Sequence, residues 1–191
     1  MSTVNIFGKG NMGQAIAGLA EKAGHTVEFF DTTDADKAVT GDIVVLAVPH
    51  AAVADIVAQR ADQLAGKVVV DITNPIDFAT FSLSVPADSS SAAQIAEAVP
   101  TARVLKAFNT TFGPTLATGT VGAEQTTTVL IAGDDADAKA QLAELVTAAG
   151  LKTADAGPLA RAREMEAFAL LQIGLAATEQ TSWAAGFALH S

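Results

Sequence analysis

The sequence predicts an α/β fold with a mainly parallel sheet, and three observations support that expectation. Short β-rich runs alternate with Ala-rich stretches of helical spacing along most of the 191 residues, which is typical of strands joined by crossover helices. The apolar runs of the strand candidates are nearly continuous, as in strands that are covered on both faces. A glycine-rich turn, GKGNMG, links the first strand candidate directly to the first helix candidate. Since no linker is long enough to separate two units, residues 1–191 are predicted to form one domain.

Seven strand candidates are identified by their β-branched and aromatic residues, which fit a half-buried or fully buried pleated surface. Each is bounded by glycine or polar residues or by a stretch of helical spacing. The candidates span residues 3–7, 26–30, 42–48, 67–72, 103–108, 127–132 and 151–154.

Helix candidates fill the gaps, and several of their ends carry chemical signals. Gly24 and Gly150 can end helices in the left-handed conformation, and Asp134 or Asp135 can cap the helix after the sixth strand. Residues 78–91, rich in Ser, Pro and Asp, are predicted to form a surface loop. The helices are expected at residues 11–23, in a short piece after Asp34, and at residues 50–64, 90–99, 136–149 and 159–183.

The long apolar tract near the carboxyl end, residues 167–189, is predicted to be helical without crossing a membrane. Glu179 interrupts the tract, and an ionised Glu inside a bilayer is costly. A stripe of apolar residues at helical spacing indicates an amphipathic helix, about 159–183, that buries one face in the core or in a dimer interface. The stripe consists of Met165, Phe168, Leu171 and Leu175.

The composition excludes several classes of function. The chain has 11 Lys and Arg against 21 Asp and Glu, a formal net charge of -10, so neither nucleic acid nor an anionic membrane is an expected partner. Because cysteine is absent, disulfides, thiolate nucleophiles and iron–sulfur clusters are excluded. No His and carboxylate spacing suggests a metal site, and no Ser, His and Asp arrangement suggests covalent catalysis. The start of the sequence does not resemble a signal peptide, so a cytoplasmic protein is expected.

The glycine turn predicts a dinucleotide site. Gly8 permits the tight turn, Gly10 lets the backbone approach a diphosphate, and Gly13 lets the helix lie close to the strand. The helix N-terminus offers unpaired N–H groups and partial positive charge to the phosphates. An acidic residue, Asp31, ends the second strand and completes the pattern of a doubly wound, Rossmann-type fold.

Asp31 also bears on the choice of nucleotide. A carboxylate at this point can accept hydrogen bonds from both ribose hydroxyls and would repel a 2′-phosphate. Its neighbours Thr32 and Thr33 carry no charge, and the nearest cation along this segment is Lys37, which we expect on a solvated helix. From these residues we predict that NADH binds more tightly than NADPH.

Residues at the ends of the other strands are the candidates for substrate contact, because ligands of open parallel sheets lie beyond the carboxyl ends of the strands. Asn74, Asn109 and Thr110 could bond a carboxamide or a second substrate, although such residues also form ordinary turns. His50, directly after Pro49, could act as a general acid, or it could simply begin a helix. Hydride transfer needs only two carriers held face to face.

Five segments together resemble a known family. GKGNMG, AVP, VVDITNP, LKAFNTT and DAGPLARAREME, in this order, are similar to segments of the NADP-dependent oxidoreductases that use the deazaflavin coenzyme F420, and of the cytoplasmic NADPH-binding domain of STEAP-type metalloreductases. The resemblance implies hydride transfer between NADP(H) and a flavin or deazaflavin, in a homodimer. It places the diphosphate on Gly8, Lys9, Gly10, Asn11, Met12 and Gly13, the ribose on Asp31, Thr32 and Thr33, and the nicotinamide half on Ala47, Val48, Pro49, Asn74 and Pro75, with Asn109 and Thr110 facing the acceptor.

Two other functions remain open from the sequence. The GNMG turn also occurs at the start of pyrroline-5-carboxylate reductases, which suggests an imine reductase. The third hypothesis is a nucleotide-binding module that senses redox state without turnover, because the sequence contains no obvious catalytic acid or base. In relatives that use NADP, a Ser and a basic residue tend to follow the second strand, whereas this chain has Asp31, Thr32, Thr33 and Asp34.

Overall fold

The computed structural model describes residues 2–34, 36–122, 124–186 and 188–189. All seven strand candidates form one sheet. The helices predicted at residues 50–64 and 159–183 each begin with a 3₁₀ turn, and the second of them is also shorter than predicted. In chain order the strands are β1 (Thr3–Phe7), β2 (Thr26–Phe30), β3 (Ile43–Leu46), β4 (Val68–Asp71), β5 (Ile76–Asp77), β6 (Ser82–Leu83), β7 (Arg103–Ala107), β8 (Thr120–Val121), β9 (Gln125–Thr126), β10 (Thr128–Gly133) and β11 (Lys152–Gly157). The helices are α1 (Asn11–Lys22), α2 (Val53–Leu64), α3 (Ser91–Ala98), α4 (Gly113–Thr118), α5 (Ala136–Ala148) and α6 (Ala162–Ala177), with 3₁₀ turns at His50–Ala52 and Leu159–Arg161.

The central sheet has the strand order β11-β10-β7-β4-β3-β1-β2. Its pairings are parallel except between β7 and β10, which run antiparallel. The fold is therefore the predicted doubly wound, Rossmann-type fold with a mainly parallel sheet and a C-terminal helix. Because β2 lies on one side of β1 and β3 on the other, the strand order reverses at β1. Ligands of such sheets bind in the crevice above this reversal.

The core forms on both faces of the sheet, which explains the continuous apolar runs in the strands. Val45 packs into a cluster with α1 and α5, whereas its neighbours Val44 and Leu46 pack into a second cluster with α2 and α3. All three residues are fully buried or nearly so. Alternate residues of one strand thus serve opposite faces, and both faces need apolar side chains.

The predicted helix ends are largely confirmed. Gly24 and Gly150 have positive φ, +86° and +91°, and each ends its helix as expected for residues without a Cβ. Asp135 caps α5 by accepting a hydrogen bond from the Ala138 N–H at 2.7 Å. Asp134 instead accepts from the Leu159 N–H at 2.9 Å, so it joins the end of β10 to the turn before α6.

The C-terminal helix is shorter than predicted. The sequence predicts it over about 159–183, but the α-helix begins at Ala162 and ends at Ala177. Glu179 adopts a positive φ of +57°, and the Gln180 N–H turns back to the Leu175 carbonyl at 2.9 Å. No proline or glycine follows Ala177 within this stretch, so no sequence signal marked the end.

The core covers only part of the predicted apolar stripe of α6, and its burial in a dimer interface stays a prediction. Met165 is buried, but Leu171 is 57% exposed, so the stripe through Met165 and Leu171 does not coincide with the buried face. Apart from Met165, the buried face is formed by small and polar side chains, which the apolar pattern could not reveal. They are Ala162, Glu166, Ala169, Gln172 and Ala176.

Two loops differ from their predicted form. The short helix expected after Asp34 is absent from the described residues of that segment, where the buried Arg60 guanidinium binds the Asp34 and Lys37 carbonyls. Residues 78–91, expected as a surface loop, include β6, which pairs with β5 in a small hairpin. The remaining elements that the sequence did not predict are α4 and the hairpin of β8 and β9.

Candidate functional site

The glycine turn has the geometry that a diphosphate requires. Gly8 has a φ of +107°, and a Cβ there would lie 2.2 Å from the Ala47 carbonyl oxygen. A Cβ on Gly13 would lie 2.3 Å from the Gly8 oxygen, so α1 packs against β1 at backbone distance. By contrast, a Cβ on Gly10 would meet nothing within 4 Å. Gly10 is the N-cap of α1, and no side chain caps the helix, which leaves its first N–H groups available to an anion.

A cleft of about 490 Å³ opens beside the end of β2. Its apolar walls are formed in part by Phe30, Val48, Pro49 and Ile56, and its polar lining consists of Asp31, Thr32, Asp55, Gln59 and Arg60. A flat base fits between the apolar walls, with its ribose beside Asp31. Phe30 is held in place by stacking on Phe7, with ring centroids 4.7 Å apart.

Asp31 is not a free carboxylate. Its Oδ2 accepts a hydrogen bond from Lys9 Nζ at 2.7 Å, and its Oδ1 accepts from the Thr33 N–H and hydroxyl at 2.9 and 2.6 Å. These donors, Lys9 first, hold the pKa of Asp31 well below its usual range. The side chains of Lys9 and Asp31 are 52% and 37% exposed, so both remain accessible to a ligand.

The cation that matters at Asp31 is therefore Lys9, and the expectation for Lys37 was wrong. Lys37 lies on no described helix, donates to the Phe29 carbonyl at 2.9 Å, and covers the Phe30 ring at 4.4 Å from its centroid. Lys9 comes from the glycine turn, 22 residues before Asp31. Reading only the segment after β2 could not reveal this pair.

A second cleft, of about 550 Å³, lies on the other side of Pro49. Val48 and Pro49 line both clefts, so the two clefts adjoin each other at the carboxyl edge of the sheet. The second cleft brings together parts of the glycine turn, the end of β3, the end of β4 and the β5–β6 hairpin. The predicted site residues on its walls are Gly10, Asn11, Met12, Ala47, Val48, Pro49, His50 and Asn74.

Asn74 and Asn109 form an amide pair at the floor of this cleft. The Asn109 side-chain amide donates to Asn74 Oδ1 at 2.9 Å and to the Met165 carbonyl at 3.1 Å, and the Asn74 amide donates to the Asn109 carbonyl at 3.0 Å. Asn109 and Thr110 are 5% and 7% exposed. Of this group, Asn74 lines the cleft, and Asn109 lies behind it as its support.

Pro75, predicted at the nicotinamide half, acts through its backbone. Its carbonyl accepts hydrogen bonds from the Ser84 N–H at 2.7 Å and from the Ser84 hydroxyl at 3.1 Å. Ser84 lines the second cleft together with Phe78. Pro75 therefore holds the base of the hairpin against the cleft.

The sequence reasoning missed a fully buried charged cluster beneath the second cleft. Lys106 Nζ donates to Asp71 Oδ2 at 2.8 Å, to Glu166 Oε1 at 2.7 Å and to the Thr73 carbonyl at 2.6 Å. The three charged side chains are 0% exposed, and burial raises the pKa of Glu166. Each of them lies in one of the segments that carried the family resemblance, VVDITNP, LKAFNTT and DAGPLARAREME. For Asp71 and Lys106 the available signal was a charged residue in an otherwise apolar strand, whereas Glu166 on α6 carried no such signal.

His50 occupies the start of the 3₁₀ turn after Pro49 and lines the second cleft. Its Nδ1 is buried without a hydrogen-bond partner. Burial lowers the pKa of His50, while the nearby Asp71 and Lys106 act on it in opposite directions. The imidazole is therefore neutral near pH 7.

The residues fit a dinucleotide. The uncapped N-terminus of α1 and the open space over Gly10 suit the diphosphate. The two clefts, which share Pro49, suit one base on either side of it. No group of three or more metal-ligating side chains occurs in the described part of the chain. None of the helices within the described ranges is both long and apolar enough to cross a bilayer.

Comparison with known proteins agrees with this geometry. The model of the family "NADP oxidoreductase coenzyme F420-dependent" matches residues 29–75. An F420-dependent NADP reductase of Methanocaldococcus jannaschii is 26% identical over 162 residues, 82% of this chain and 72% of that protein. This chain is related to the F420-dependent NADP oxidoreductases. A solved structure from Arthrobacter sp. FB24, provisionally assigned as an F420-dependent NADP reductase, superposes with a TM-score of 0.88 at 26% identity over 100% of both chains.

The resemblance to STEAP-type metalloreductases is also confirmed. The rat metalloreductase STEAP3 is 39% identical over 110 residues, which are 58% of this chain. The match covers 21% of STEAP3, so the chain spans about a fifth of that relative's length. Both curated relatives are named as reductases, which agrees with the nucleotide-binding geometry of the glycine turn.

Proposed function

We propose that the chain transfers hydride between NADP(H) and a deazaflavin or flavin-like acceptor. The observation that carries this proposal is the pair of adjoining clefts, with Val48 and Pro49 as their common wall. The two clefts would receive the two halves of a dinucleotide, and the second cleft, of about 550 Å³, would also admit another flat ring. The nucleotide supplies the hydride, and the protein supplies orientation and exclusion of water.

The glycine turn would hold the diphosphate, and the second cleft would hold the nicotinamide. Asn74 is suited to bond the carboxamide, since its Oδ1 and amide are fixed by Asn109 and cannot rotate freely. Ala47 and Pro49 present small, rigid surfaces on which a planar ring can lie.

The acceptor would enter over the β5–β6 hairpin. Phe78 and Ile76 line that side of the second cleft, and Phe78 is 67% exposed, as expected of an aromatic side chain that a planar ligand can cover. His50 is the candidate base for the proton that a reduced deazaflavin releases when it gives its hydride to NADP+, because the neutral imidazole can accept a proton and borders the same cleft.

For the nucleotide, we propose NADP(H). The family model and the archaeal relative both carry NADP in their names, whereas Asp31 alone favours NAD. Lys9 removes this conflict, because its ammonium group neutralises Asp31 and is 52% exposed. A 2′-phosphate placed beside Asp31 would meet Lys9 first.

The C-terminal helix is the proposed dimer interface. Leu171 on α6 is 57% exposed, and Phe81 of the hairpin, 43% exposed, lies against Gly174 on the same helix. Together with Phe78, which meets Phe81 edge to face, they form an apolar surface that a second copy could cover.

The reaction is tested by following NADPH oxidation with four acceptors: oxidised coenzyme F420, FMN, a soluble quinone and a cyclic imine. We expect turnover with F420 to exceed that with FMN and the quinone. Preferred reduction of the cyclic imine would identify an imine reductase instead. Tight NADPH binding without turnover of any acceptor would identify a redox sensor.

A further inference from the structure

We propose that Lys106 is a positioning residue for the nicotinamide half of the site. Lys106 would position the nicotinamide by linking α6 to the segment that forms the floor of the second cleft. The inference rests on the proposed function, since it assumes that this cleft receives the nicotinamide.

Lys106 and Asn109 form hydrogen bonds to the same two segments, residues 73–74 and residues 165–166. Lys106 Nζ binds the Thr73 carbonyl and the Glu166 carboxylate. Three residues later, the Asn109 amide binds Asn74 Oδ1 and the Met165 carbonyl, the neighbours of those partners in sequence. Two cross-links therefore run side by side from β7 and the residue after it to the floor of the cleft and to α6.

The floor itself faces the ligand. Thr73 and Asn74 line the second cleft, whereas Lys106, Asp71 and Glu166 are fully buried and touch no ligand. Glu166 extends the network to a third element, because it accepts the Ser91 N–H at the start of α3 at 3.0 Å. Ser91 in turn shares a hydrogen bond with the Thr73 hydroxyl at 3.0 Å. The position of the Thr73–Asn74 segment is thus fixed from β7, α3 and α6 together.

A purely stabilising role would not explain the charges. Desolvating three ionised side chains is expensive, and well-packed apolar residues often replace such clusters without loss of stability. The lysine ammonium group, however, directs three N–H donors to three acceptors in two segments, the end of β4 and α6, with fixed geometry, which an apolar side chain cannot do. Directional fixation of the cleft floor is what the charges add.

The adenosine half is held by other residues. Its cleft is walled by Phe30, Val48 and Ile56 and does not depend on the cluster. Loss of Lys106 should therefore loosen only the nicotinamide end. A general loss of folding would weaken both halves alike.

The experiment compares two ligands, NADPH and 2′-phospho-ADP-ribose, which lacks the nicotinamide. For Lys106→Met we expect the Kd of NADPH to rise about tenfold, a loss of about 1.4 kcal/mol. The Kd of the fragment should change less than about twofold, since its contacts remain. Both constants are measured by calorimetric titration of the full chain, and circular dichroism verifies the fold. Lys139→Met is the matched control, because it removes a lysine paired with Asp155 at 2.8 Å on α5 and should change neither constant.

Each outcome decides the inference. Equal loss of both ligands, or unchanged NADPH binding in a folded Lys106→Met variant, would overturn it. Should that variant not fold, Glu166→Gln serves instead. It keeps the side-chain shape but removes one charge, and we expect a smaller, about threefold, selective loss of NADPH. If Glu166→Gln weakened NADPH and 2′-phospho-ADP-ribose by the same factor, or weakened neither, the inference would also be overturned. A wild-type chain that binds neither ligand would refute the proposed function itself, whereas wild-type binding without the selective loss refutes only the role of Lys106.

Discussion

Asp31 shows how one contact can reverse the meaning of a residue. A carboxylate after the second strand predicts NAD when it is considered alone. In the structure Lys9 reaches it at 2.7 Å and Thr33 takes its other oxygen, so the repulsion that would exclude a 2′-phosphate is offset. The local sequence shows the carboxylate of Asp31 but not its partner. Lys9 lies 22 residues earlier, and the two side chains meet only when the glycine turn packs beside the end of β2.

Replacing Lys9 should change nucleotide selectivity. We expect Lys9→Ala to raise the Kd of NADPH about tenfold, because the 2′-phosphate loses a charge-assisted hydrogen bond and faces an unpaired Asp31. The Kd of NADH should rise less than about threefold, since only the 2′-phosphate distinguishes the two. Fluorescence titration with each nucleotide measures the difference.

Two further variants sharpen this test. Asp31→Ser should strengthen NADPH relative to NADH, because it removes the negative charge beside the phosphate. Lys22→Ala, at the far end of α1, is the control for a lost lysine and should leave both constants unchanged. Equal weakening of both nucleotides by Lys9→Ala would mean that Lys9 binds the diphosphate that they share.

The other missed residues at this scale are Asp71, Lys106 and Glu166. Their sequence separations, 35 and 60 residues from Lys106, place them together only after the sheet and α6 have assembled. Most of the predicted site residues do line one of the two clefts, because the turns after the carboxyl ends of parallel strands meet at one edge of the sheet. The sequence did not predict which charged residue lies under that edge, since charge pairing depends on the packing of α6.

Among the elements, the strands were the most predictable. β1 and β2 match their predicted limits, and β3 and β4 are each shorter than predicted at both ends. At the carboxyl ends, the residues that lie outside the strands, Ala47, Val48 and Ile72, line the second cleft. Both-sided burial gave a strong apolar signal, whereas α4 and the hairpins are too short to show any periodicity. The end of α6 was missed because Glu179 adopts a left-handed conformation that favours Gly or Asn.

Two glycines of α1 provide a test within one helix. Gly13→Ala should destabilise the chain by about 1–3 kcal/mol, because its Cβ would lie 2.3 Å from the Gly8 carbonyl oxygen and force the helix away from β1. Gly18→Ala should stabilise it by about 0.5–1 kcal/mol, since a Cβ there meets nothing within 4 Å and alanine favours the helix. Urea unfolding of both variants measures the free energies. Similar effects of the two substitutions would contradict the close packing of α1 on β1.

At the scale of the whole molecule, the apolar surface around α6 predicts self-association. We expect a dimer at micromolar concentration in sedimentation velocity experiments. Leu171→Gln should shift the population towards monomer, because it places a polar group on the most exposed large side chain of α6, which is 57% exposed. Ala177→Gln, an exposed substitution at the end of the same helix, should leave the dimer intact. Sedimentation of the wild-type chain as monomer alone would refute the proposed interface.

The antiparallel pairing of β7 with β10 decides where the chain can be tethered for a binding measurement. Because β11 is parallel to β10, β11 ends at the edge of the sheet where β1 begins. The chain then returns along α6 towards the opposite edge, and Gly174 of α6 lies beside Phe81 of the β5–β6 hairpin. A fluorophore or surface linker attached ahead of Thr3 would sit at the opposite rim and leave ligand access unobstructed. The same attachment after α6 would crowd the mouth of the second cleft, and would report on its opening.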